Sequence, residues 1–189
     1  MMIHPDGVAV FVEVPKTGST AATLHLRKHG WFQNGSKGTI PVTGAFPGRH
    51  SYPSAATRQL FDRTGVTAYG VVRNPWDRMA SLWRSSAPGN TTFLDYMTTG
   101  RFTHGPIDVM TCQQDTWLKH CDYVLHYEQL EDIWSELAGA FGHLPPGPLP
   151  RANVSKRRAT PLWTKAEVDL IADRFALDIE TYGYTGPTA

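Results

Sequence analysis

The sequence predicts an α/β fold in which helices flank both faces of a central parallel sheet. Three candidate strands carry this prediction: Val8–Val14, Thr67–Arg73 and Cys121–Tyr127. The first two have the length and apolar character of buried strands, and the third also has the pattern of a strand. A segment with helical spacing follows each candidate strand, and this alternation of strand and helix is typical of parallel sheets. Ligands bind outside the carboxyl ends of such strands, so we expect the functional residues there.

The overall composition is that of an ordinary globular protein, and we expect a single domain over residues 1–189. A chain of 189 residues is long enough to bury a core. Its 18 Lys and Arg residues nearly balance its 17 Asp and Glu residues, which leaves a net charge of +1. This balance does not favour a nucleic-acid partner, so any anion site should be local.

The sequence also bears on the cellular compartment. No apolar run approaches the roughly 20 residues that a membrane helix needs, so no membrane partner is expected. The N-terminal residues Met1–Gly7 lack the charged and apolar regions of a signal peptide. Cys112 and Cys121 are the only cysteines and cannot build a disulfide framework. We therefore expect reduced thiols and a cytoplasmic location.

The first predicted strand ends in a loop that suits an anion. Val8–Val14 leads into Pro15-Lys-Thr-Gly-Ser-Thr20 and then into the helix-forming segment Ala21–Lys28. A tight turn from strand to helix directs backbone N–H groups toward one point, at the positive end of the helix dipole. Phosphate groups bind at such points. Lys16 adds a mobile positive charge, and the last two residues of the loop add hydroxyl donors.

A long loop and a helix separate this unit from the second strand. Gly30–Gly48 is rich in Gly, Pro, Ser and Thr and contains a candidate short strand at Thr39–Thr43. Long loops in compact domains are usually functional or mobile. His50 lies just beyond this loop, and Ser54–Arg63 has the pattern of a helix.

The second strand, Thr67–Arg73, is followed by a well-marked helix start. Asn74 suits the N-cap, Pro75 suits the first helical position, and Asp77 suits the first turn. The pattern predicts that this helix ends near residues 87–89. A shorter helix is predicted over Thr92–Thr99.

The third strand, Cys121–Tyr127, leads into a helix over Leu130–Phe141, with Gly142 as its stop. The last predicted helix begins at the capping box Thr164–Glu167 and continues at 3.6-residue spacing as far as Tyr182. Since the three strands should be parallel, the polar residues after them should converge on one edge of the sheet.

The first loop differs from the phosphate loop of the nucleoside triphosphatases. That motif is G-x-x-x-x-G-K-[ST], whereas here Lys16 precedes Gly18 by two residues. There is also no obvious Asp at the end of a strand to hold magnesium, since Asp122 stands at the start of one. These features argue against ordinary ATP chemistry.

Two motifs resemble those of the sulfotransferases. Pro15-Lys-Thr-Gly-Ser-Thr20 resembles their 5′-phosphosulfate loop, and Val72-Arg-Asn-Pro-Trp-Asp-Arg-Met-Ala-Ser81 resembles their 3′-phosphate motif. The order of the motifs, their separation and the strand before each also fit. Further fragments extend the resemblance over most of the chain: Gly48–His50, Gln114, Trp117–Leu118, Tyr127–Leu130, Asn153–Ser155 and Tyr182–Tyr184. The branch that includes carbohydrate sulfotransferases is the most similar.

The resemblance implies a P-loop-like three-layer fold and a defined reaction. The donor would be 3′-phosphoadenosine 5′-phosphosulfate (PAPS), and its sulfuryl group would pass to an acceptor hydroxyl or amine. The product would be adenosine 3′,5′-bisphosphate, and no metal would be required. The implied donor-binding residues are Pro15, Lys16, Thr17, Gly18, Ser19, Thr20, Arg73, Ser81, Tyr127, Lys156 and Arg157.

Each motif has a distinct role in this reaction. Lys16 would bind the 5′ end and neutralise charge on the bridging oxygen as the sulfuryl group leaves. Arg73 would bind the 3′-phosphate as a planar fork, and Ser81 would donate its hydroxyl. Tyr127 matches a family position near the adenine. His50 matches a position where a histidine often removes the acceptor proton, so it is the candidate general base.

Other interpretations of the same residues stay open. One is a nucleotide-dependent phosphotransferase with a divergent phosphate loop, which would require ATP and magnesium. Another is a module that binds the nucleotide without turnover. Arg73 could instead form a structural ion pair, Tyr127 could be a core aromatic residue, and residues 156–158 could be a solvated basic patch. The acceptor, a carbohydrate or another small molecule, and the oligomeric state are also open.

Overall fold

The computed structural model of the protein describes residues 1–33, 53–99, 110–152 and 162–188. The strands in these ranges are β1 (Met2–Ile3), β2 (Ala9–Val12), β3 (Phe32–Gln33), β4 (Thr67–Val72) and β5 (Tyr123–His126). The α-helices are α1 (Ser19–Lys28), α2 (Ala55–Thr64), α3 (Pro75–Ser86), α4 (Phe93–Thr98), α5 (Asp115–Leu118), α6 (Leu130–Phe141), α7 (Lys165–Arg174) and α8 (Ala176–Tyr182). A 3₁₀ turn over Tyr127–Gln129 joins β5 to α6.

The described strands form one sheet in the order β3-β1-β2-β4-β5. β2, β4 and β5 are parallel, with Val10 opposite Ala68 and Tyr69 opposite Tyr123. β1 is antiparallel to both of its neighbours, β2 and β3. The predicted α/β fold with a largely parallel central sheet is therefore confirmed. The sequence pattern does not predict β1 or β3, because two residues are too few to show a period.

β2 and β4 are buried on both faces, as their apolar runs predict, whereas three of the four residues of the edge strand β5 are only partly buried. One face packs against α1 and α6 through Phe11, Tyr69, Leu125, Leu26 and Trp134. The opposite face packs against α2 and α5 through Val10, Val12, Val72, Phe61 and Trp117. This alternation follows from the two-residue period of a strand, and it holds the carboxyl ends of β2, β4 and β5 at one edge.

The predicted helix ends are confirmed where the structure describes them. Asn74 caps α3 by accepting a hydrogen bond from the backbone N–H of Trp76 at 3.1 Å, and Pro75 is the first helical residue. Gly142 ends α6 with a left-handed φ of 65°. Thr164 and Glu167 form the predicted capping box at the start of α7.

The last helix differs from the prediction, because it is broken in two at Phe175. Phe175 is fully buried and has the non-helical torsions φ −114° and ψ 26°. Beyond the break, α8 places the buried carboxylate of Asp178 at the start of α5. Asp178 accepts hydrogen bonds from the backbone N–H groups of Gln114 and Asp115 at 2.8 and 2.9 Å. The apolar stripe of α7 and α8 carries no signal for this polar contact, so periodicity alone predicts one continuous helix.

Some predictions fall outside the described residues, including the candidate strand Thr39–Thr43 and most of the loop Gly30–Gly48. Within the four described ranges, no helix combines the length and the apolar character needed to cross a membrane.

Candidate functional site at the carboxyl edge of the sheet

The first loop (Pro15–Thr20) turns sharply between β2 and α1. Two residues make the turn with left-handed backbone torsions, Lys16 at φ 67° and Gly18 at φ 78°. Glycine adopts this conformation without cost, whereas for lysine it costs about 1–2 kcal/mol. The surrounding structure must therefore hold Lys16 in place, and such strain is often found at functional sites.

Gly18 is required for a second reason, because the ring of Tyr127 lies against it. A Cβ atom at position 18 would be 2.7 Å from Cε2 of Tyr127. This close approach joins the first loop to the end of β5. Tyr127 is thus brought to the first loop as predicted, and 37% of its surface stays exposed.

The start of α1 is suited to an anion. Gly18 is the N-cap and has no side chain to occupy the N–H groups of the first turn. The first turn of α1 contains no acidic residue, whereas α3 has Asp77 in its first turn. An anion at this end of α1 would therefore meet the positive end of the dipole without a competing carboxylate.

Two buried side chains fix the backbone of the first loop by hydrogen bonds to one of its carbonyl groups and to that of the residue before it. Thr17 is fully buried and donates its hydroxyl hydrogen to the carbonyl of Val14 at 3.0 Å. Arg78 of α3 is also fully buried, and its Nε donates to the carbonyl of Pro15 at 3.1 Å. The shape of the loop therefore depends on buried contacts as well as on its own sequence.

Arg78 is a structural cation. Besides Pro15, its guanidinium donates to the carbonyls of Cys112 at 3.0 Å and Met110 at 3.1 Å. Burial lowers the pKa of Arg78 to about 10, and it remains charged at neutral pH. A buried guanidinium with three carbonyl acceptors links the first loop to the segment before α5. This role of Arg78 was not predicted, since nothing in the motif around it distinguishes a buried arginine from an exposed one.

Lys16 reaches across the first loop to α3. Its Nζ donates to the hydroxyl oxygen of Ser85 at 2.8 Å. Burial lowers the pKa of Lys16, and the nearby charges of Arg73 and Arg84 lower it further. An ammonium group has three donors, so two N–H groups remain for a ligand after the contact with Ser85.

Arg73 stands directly after β4 and touches both other strand ends. Its Nη1 donates to the carbonyl of Lys16 at 3.2 Å, and its guanidinium carbon lies 4.2 Å from the ring centre of Tyr127. Gln114 holds its backbone, accepting from the Arg73 N–H at 2.9 Å and donating to the Arg73 carbonyl at 2.8 Å. The Nε of Arg73 is buried and has no hydrogen-bond acceptor among the described residues.

This environment argues against the alternative that Arg73 forms a structural ion pair with a described residue. Within the described parts of the chain, no carboxylate lies within 4.0 Å of its guanidinium. The neighbouring Glu128 is used elsewhere, because it accepts from the Asn74 N–H at 2.9 Å and from the Tyr184 hydroxyl at 3.1 Å. The positive charge of Arg73 is therefore not neutralised by a described acidic side chain.

One side of α3 faces this group of residues. Ser81, Arg84 and Ser85 share that side, since residues three and four apart are neighbours on a helix. Ser85 contacts Lys16, which shows that the side faces the first loop. We call it the loop-facing side of α3. The half-buried Ser81 lies there as expected, whereas Arg84 and Ser85 were missed although their spacing from Ser81 was a usable signal.

A cavity of about 550 Å³ opens beside the first loop. Gly18 and Ala21 form its border on the side of α1, and Tyr127 and Leu130 contribute from the end of β5. Three carboxylates also line it: Glu128, Glu131 and Asp132. The volume is in the range of small-molecule sites, about 300–1,000 Å³. These carboxylates outnumber the one cationic residue of the lining, Arg151, so the cavity favours amino and hydroxyl groups over a phosphate.

The predicted site residues thus fall into two groups. The structure brings together those that follow β2, β4 and β5: Pro15, Lys16, Thr17, Gly18, Ser19, Thr20, Arg73 and Tyr127. Ser81 lies on the loop-facing side of α3. His50, Lys156 and Arg157 lie outside the described residues. The described geometry therefore concerns only the residues expected to bind the donor. The role of His50 as the general base stays a prediction.

Comparisons with models of known protein families, with curated proteins and with solved structures found no match to this chain. The function has to be argued from the site itself.

Proposed function

We propose that the protein is a sulfotransferase that uses PAPS as its donor. One observation carries the proposal most directly. Lys16 and Arg73, at the ends of adjacent parallel strands, are joined by a hydrogen bond, and neither has a carboxylate partner among the described residues. PAPS has anionic groups at both ends of its ribose, so it needs two cationic positions of this kind.

The 5′ end of the donor would bind at the first loop. The start of α1 offers backbone N–H groups with no acidic residue nearby in its first turn. Lys16 lies beside it and keeps two N–H groups after its contact with Ser85. Those donors could stabilise the negative charge that develops on the bridging oxygen.

The 3′-phosphate would bind at the end of β4. The guanidinium of Arg73 is fixed there by Tyr127 and by the Lys16 carbonyl. Ser81 lies two turns into α3, on the side that faces the first loop. A planar guanidinium and a hydroxyl are suitable partners for a phosphate group.

The adenosine would occupy the cavity beside Gly18 and Tyr127. Its volume of about 550 Å³ is sufficient for a nucleoside. The carboxylates of Glu131 and Asp132 border it and can accept hydrogen bonds from the amino group of a base. Phosphates and nucleoside thus have separate environments, one cationic and one acidic.

In the proposed transfer, one bond to sulfur forms as another breaks, and one proton leaves the acceptor. A bond forms between the acceptor oxygen or nitrogen and sulfur, while the bond between sulfur and the bridging oxygen breaks. The electron pair goes to that oxygen, and the acceptor proton goes to a base, for which His50 is our candidate. General-base assistance of this kind typically contributes about 10²–10⁴-fold to the rate.

The test is a thermal-shift comparison of adenosine 3′,5′-bisphosphate with ATP and magnesium. A ligand that binds only the folded state raises the melting temperature. We expect the bisphosphate to stabilise the wild-type protein and ATP with magnesium to have little effect. Stabilisation by ATP with magnesium alone would favour a phosphotransferase, and no stabilisation by either nucleotide would contradict the proposal.

Lys28, at the far end of α1, gives a matched control for the substitution of Lys16 in the first loop. Lys16→Ala should reduce the shift caused by the bisphosphate and should reduce sulfuryl transfer by about 10²–10³-fold. Lys28 is exposed at the other end of α1, so Lys28→Ala removes the same charge without touching the site. Equal effects of the two substitutions would show that only overall charge matters. Binding that depends on Lys16 without any transfer would indicate a module without turnover.

A further inference from the structure

We propose that Arg84 is a third donor-binding cation, which binds the 3′-phosphate together with Arg73 and Ser81. Arg84 would make the site selective for a nucleotide that carries this second phosphate. The inference rests on the proposed PAPS site and adds a residue that determines specificity within it.

Arg84 lies on the loop-facing side of α3. Arg84 lies three residues after Ser81, so the two side chains are neighbours on the helix surface. It also precedes Ser85, whose hydroxyl accepts the hydrogen bond from Lys16. Arg84 therefore shares the loop-facing side of α3 with the expected phosphate ligand Ser81 and with the residue that contacts Lys16.

Other positive charges surround Arg84. Burial lowers its pKa, and the charge of Arg73 lowers it further, while Asp77 and Tyr127 raise it. Arg84 in turn lowers the pKa of Lys16. No described carboxylate is within 4.0 Å of Arg84. Three cations therefore repel one another here, and an anion with more than one negative charge would relieve the repulsion.

Some donors of Arg73 are already used or buried. One of its N–H groups donates to the carbonyl of Lys16, and its Nε is buried with no acceptor among the described residues. Its other terminal N–H groups can still face a phosphate, and a second guanidinium on α3 would add further donors to the same group.

The assignment of Arg84 to the 3′-phosphate, instead of the 5′ end, follows from its place on α3. Arg84 lies about one helical turn beyond Ser81. Ser81, the other expected ligand of the 3′-phosphate, is also on its side of α3.

The experiment is a calorimetric titration of wild-type protein and Arg84→Gln with two nucleotides. Adenosine 3′,5′-bisphosphate carries the second phosphate, and adenosine 5′-monophosphate lacks it. We expect the substitution to weaken the bisphosphate by about 10- to 100-fold and to change the monophosphate less than about threefold. Arg84→Lys should restore only part of the loss, since a lysine keeps the charge but not the fork.

Arg63→Gln is the matched control, because Arg63 is an exposed helical arginine on α2, away from the site. It should leave both affinities unchanged. The melting temperature of Arg84→Gln without nucleotide should be no lower than that of wild type, since the substitution removes repulsion. A lower melting temperature together with equal weakening of both nucleotides would mean that Arg84 is structural.

The outcomes separate this inference from the proposed function. If wild-type protein prefers the bisphosphate and Arg84→Gln keeps that preference in full, the role of Arg84 is wrong while the PAPS site stands. If wild-type protein does not distinguish the two nucleotides, the proposed function is wrong and the inference is overturned with it.

Discussion

Helix α3 carries one arginine toward the interior and another on its loop-facing side, and the two have opposite surroundings. Arg78 is fully buried, and its guanidinium donates to three backbone carbonyls. Arg84 is partly exposed and has no ion-pair partner among the described residues. Two residues of the same type, two turns apart on one helix, therefore differ in whether the protein itself satisfies them.

This difference separates structural charge from charge that is available to a ligand. A buried guanidinium must have its hydrogen-bond partners within the protein, because a buried charge without partners is very costly. A partly exposed guanidinium needs no partner within the protein, because water solvates it when no ligand is bound. Arg73 is intermediate, since its backbone and one N–H group are held while its buried Nε has no described acceptor.

The largest expected effect comes from removing the inner arginine. Arg78→Ala leaves the carbonyls of Pro15, Cys112 and Met110 without their donor. Unsatisfied buried acceptors cost about 1–3 kcal/mol each, so we expect a loss of about 3 kcal/mol or more in the free energy of unfolding. Chemical denaturation measures this loss.

Arg84→Ala is the control for that experiment, because it removes the same group from the same helix. Its effect on the free energy of unfolding should be within about 0.5 kcal/mol. Similar losses for both variants would show that the two sides of α3 do not differ as described.

The second-largest effect comes from the close contact between Gly18 and the ring of Tyr127. Gly18→Ala places a Cβ atom 2.7 Å from the ring of Tyr127 and also strains the left-handed backbone. We expect a loss of about 2–3 kcal/mol, which is more than the backbone strain of about 1–2 kcal/mol alone.

Gly65 offers a direct correction for backbone strain. It has a similar φ of 69°, and nothing lies within 4 Å of the position that its Cβ would occupy. The excess loss of Gly18→Ala over Gly65→Ala therefore measures the contact with Tyr127. If the two glycine variants lose the same stability, the loop does not depend on that contact.

The smallest effect is a pH dependence that reports the repulsion around Lys16. Burial, then Arg73 and Arg84, lower the pKa of Lys16 below its ordinary value of 10.5. Between the lowered pKa and 10.5 the unfolded state binds more protons than the folded state, so stability rises with pH there. At lower pH the charged ammonium reduces the stability of the folded state.

Lys16→Met removes this titration. The free energy of unfolding of wild type, relative to Lys16→Met, should therefore increase as the pH approaches 10.5. Lys28→Met at an exposed position, compared with wild type in the same way, corrects for the loss of one positive charge. A constant difference between wild type and Lys16→Met across the alkaline range would contradict the described environment of Lys16.

The sequence predicted the parts of the fold that carry a local signal. The apolar runs identify β2, β4 and β5, and Asn74, Gly142 and the Thr164 capping box mark helix ends that the structure confirms. The break at Phe175 was not predictable in this way. It places Asp178 on the start of α5, and this contact between distant segments leaves no trace in the local period.

The candidate site was also predictable only where a local motif marks its residues. Two motifs were enough to select Lys16, Arg73 and Ser81, because strand ends in a parallel sheet meet at one edge. The spacing on α3 could also have identified Arg84, which was missed, but only the three-dimensional arrangement shows its electrostatic interactions with Lys16 and Arg73. The opposite roles of Arg78 and Arg84 depend on burial, which a motif does not specify.

The central claim is that Arg73 recognises the 3′-phosphate of the donor nucleotide. The most direct test is calorimetric titration of wild type and Arg73→Ala with adenosine 3′,5′-bisphosphate and adenosine 5′-monophosphate. We predict that wild type prefers the bisphosphate and that Arg73→Ala loses this preference by about 10- to 100-fold, with the monophosphate much less affected. Equal affinities of wild type for the two nucleotides, or an equal loss for both in Arg73→Ala, would contradict the claim.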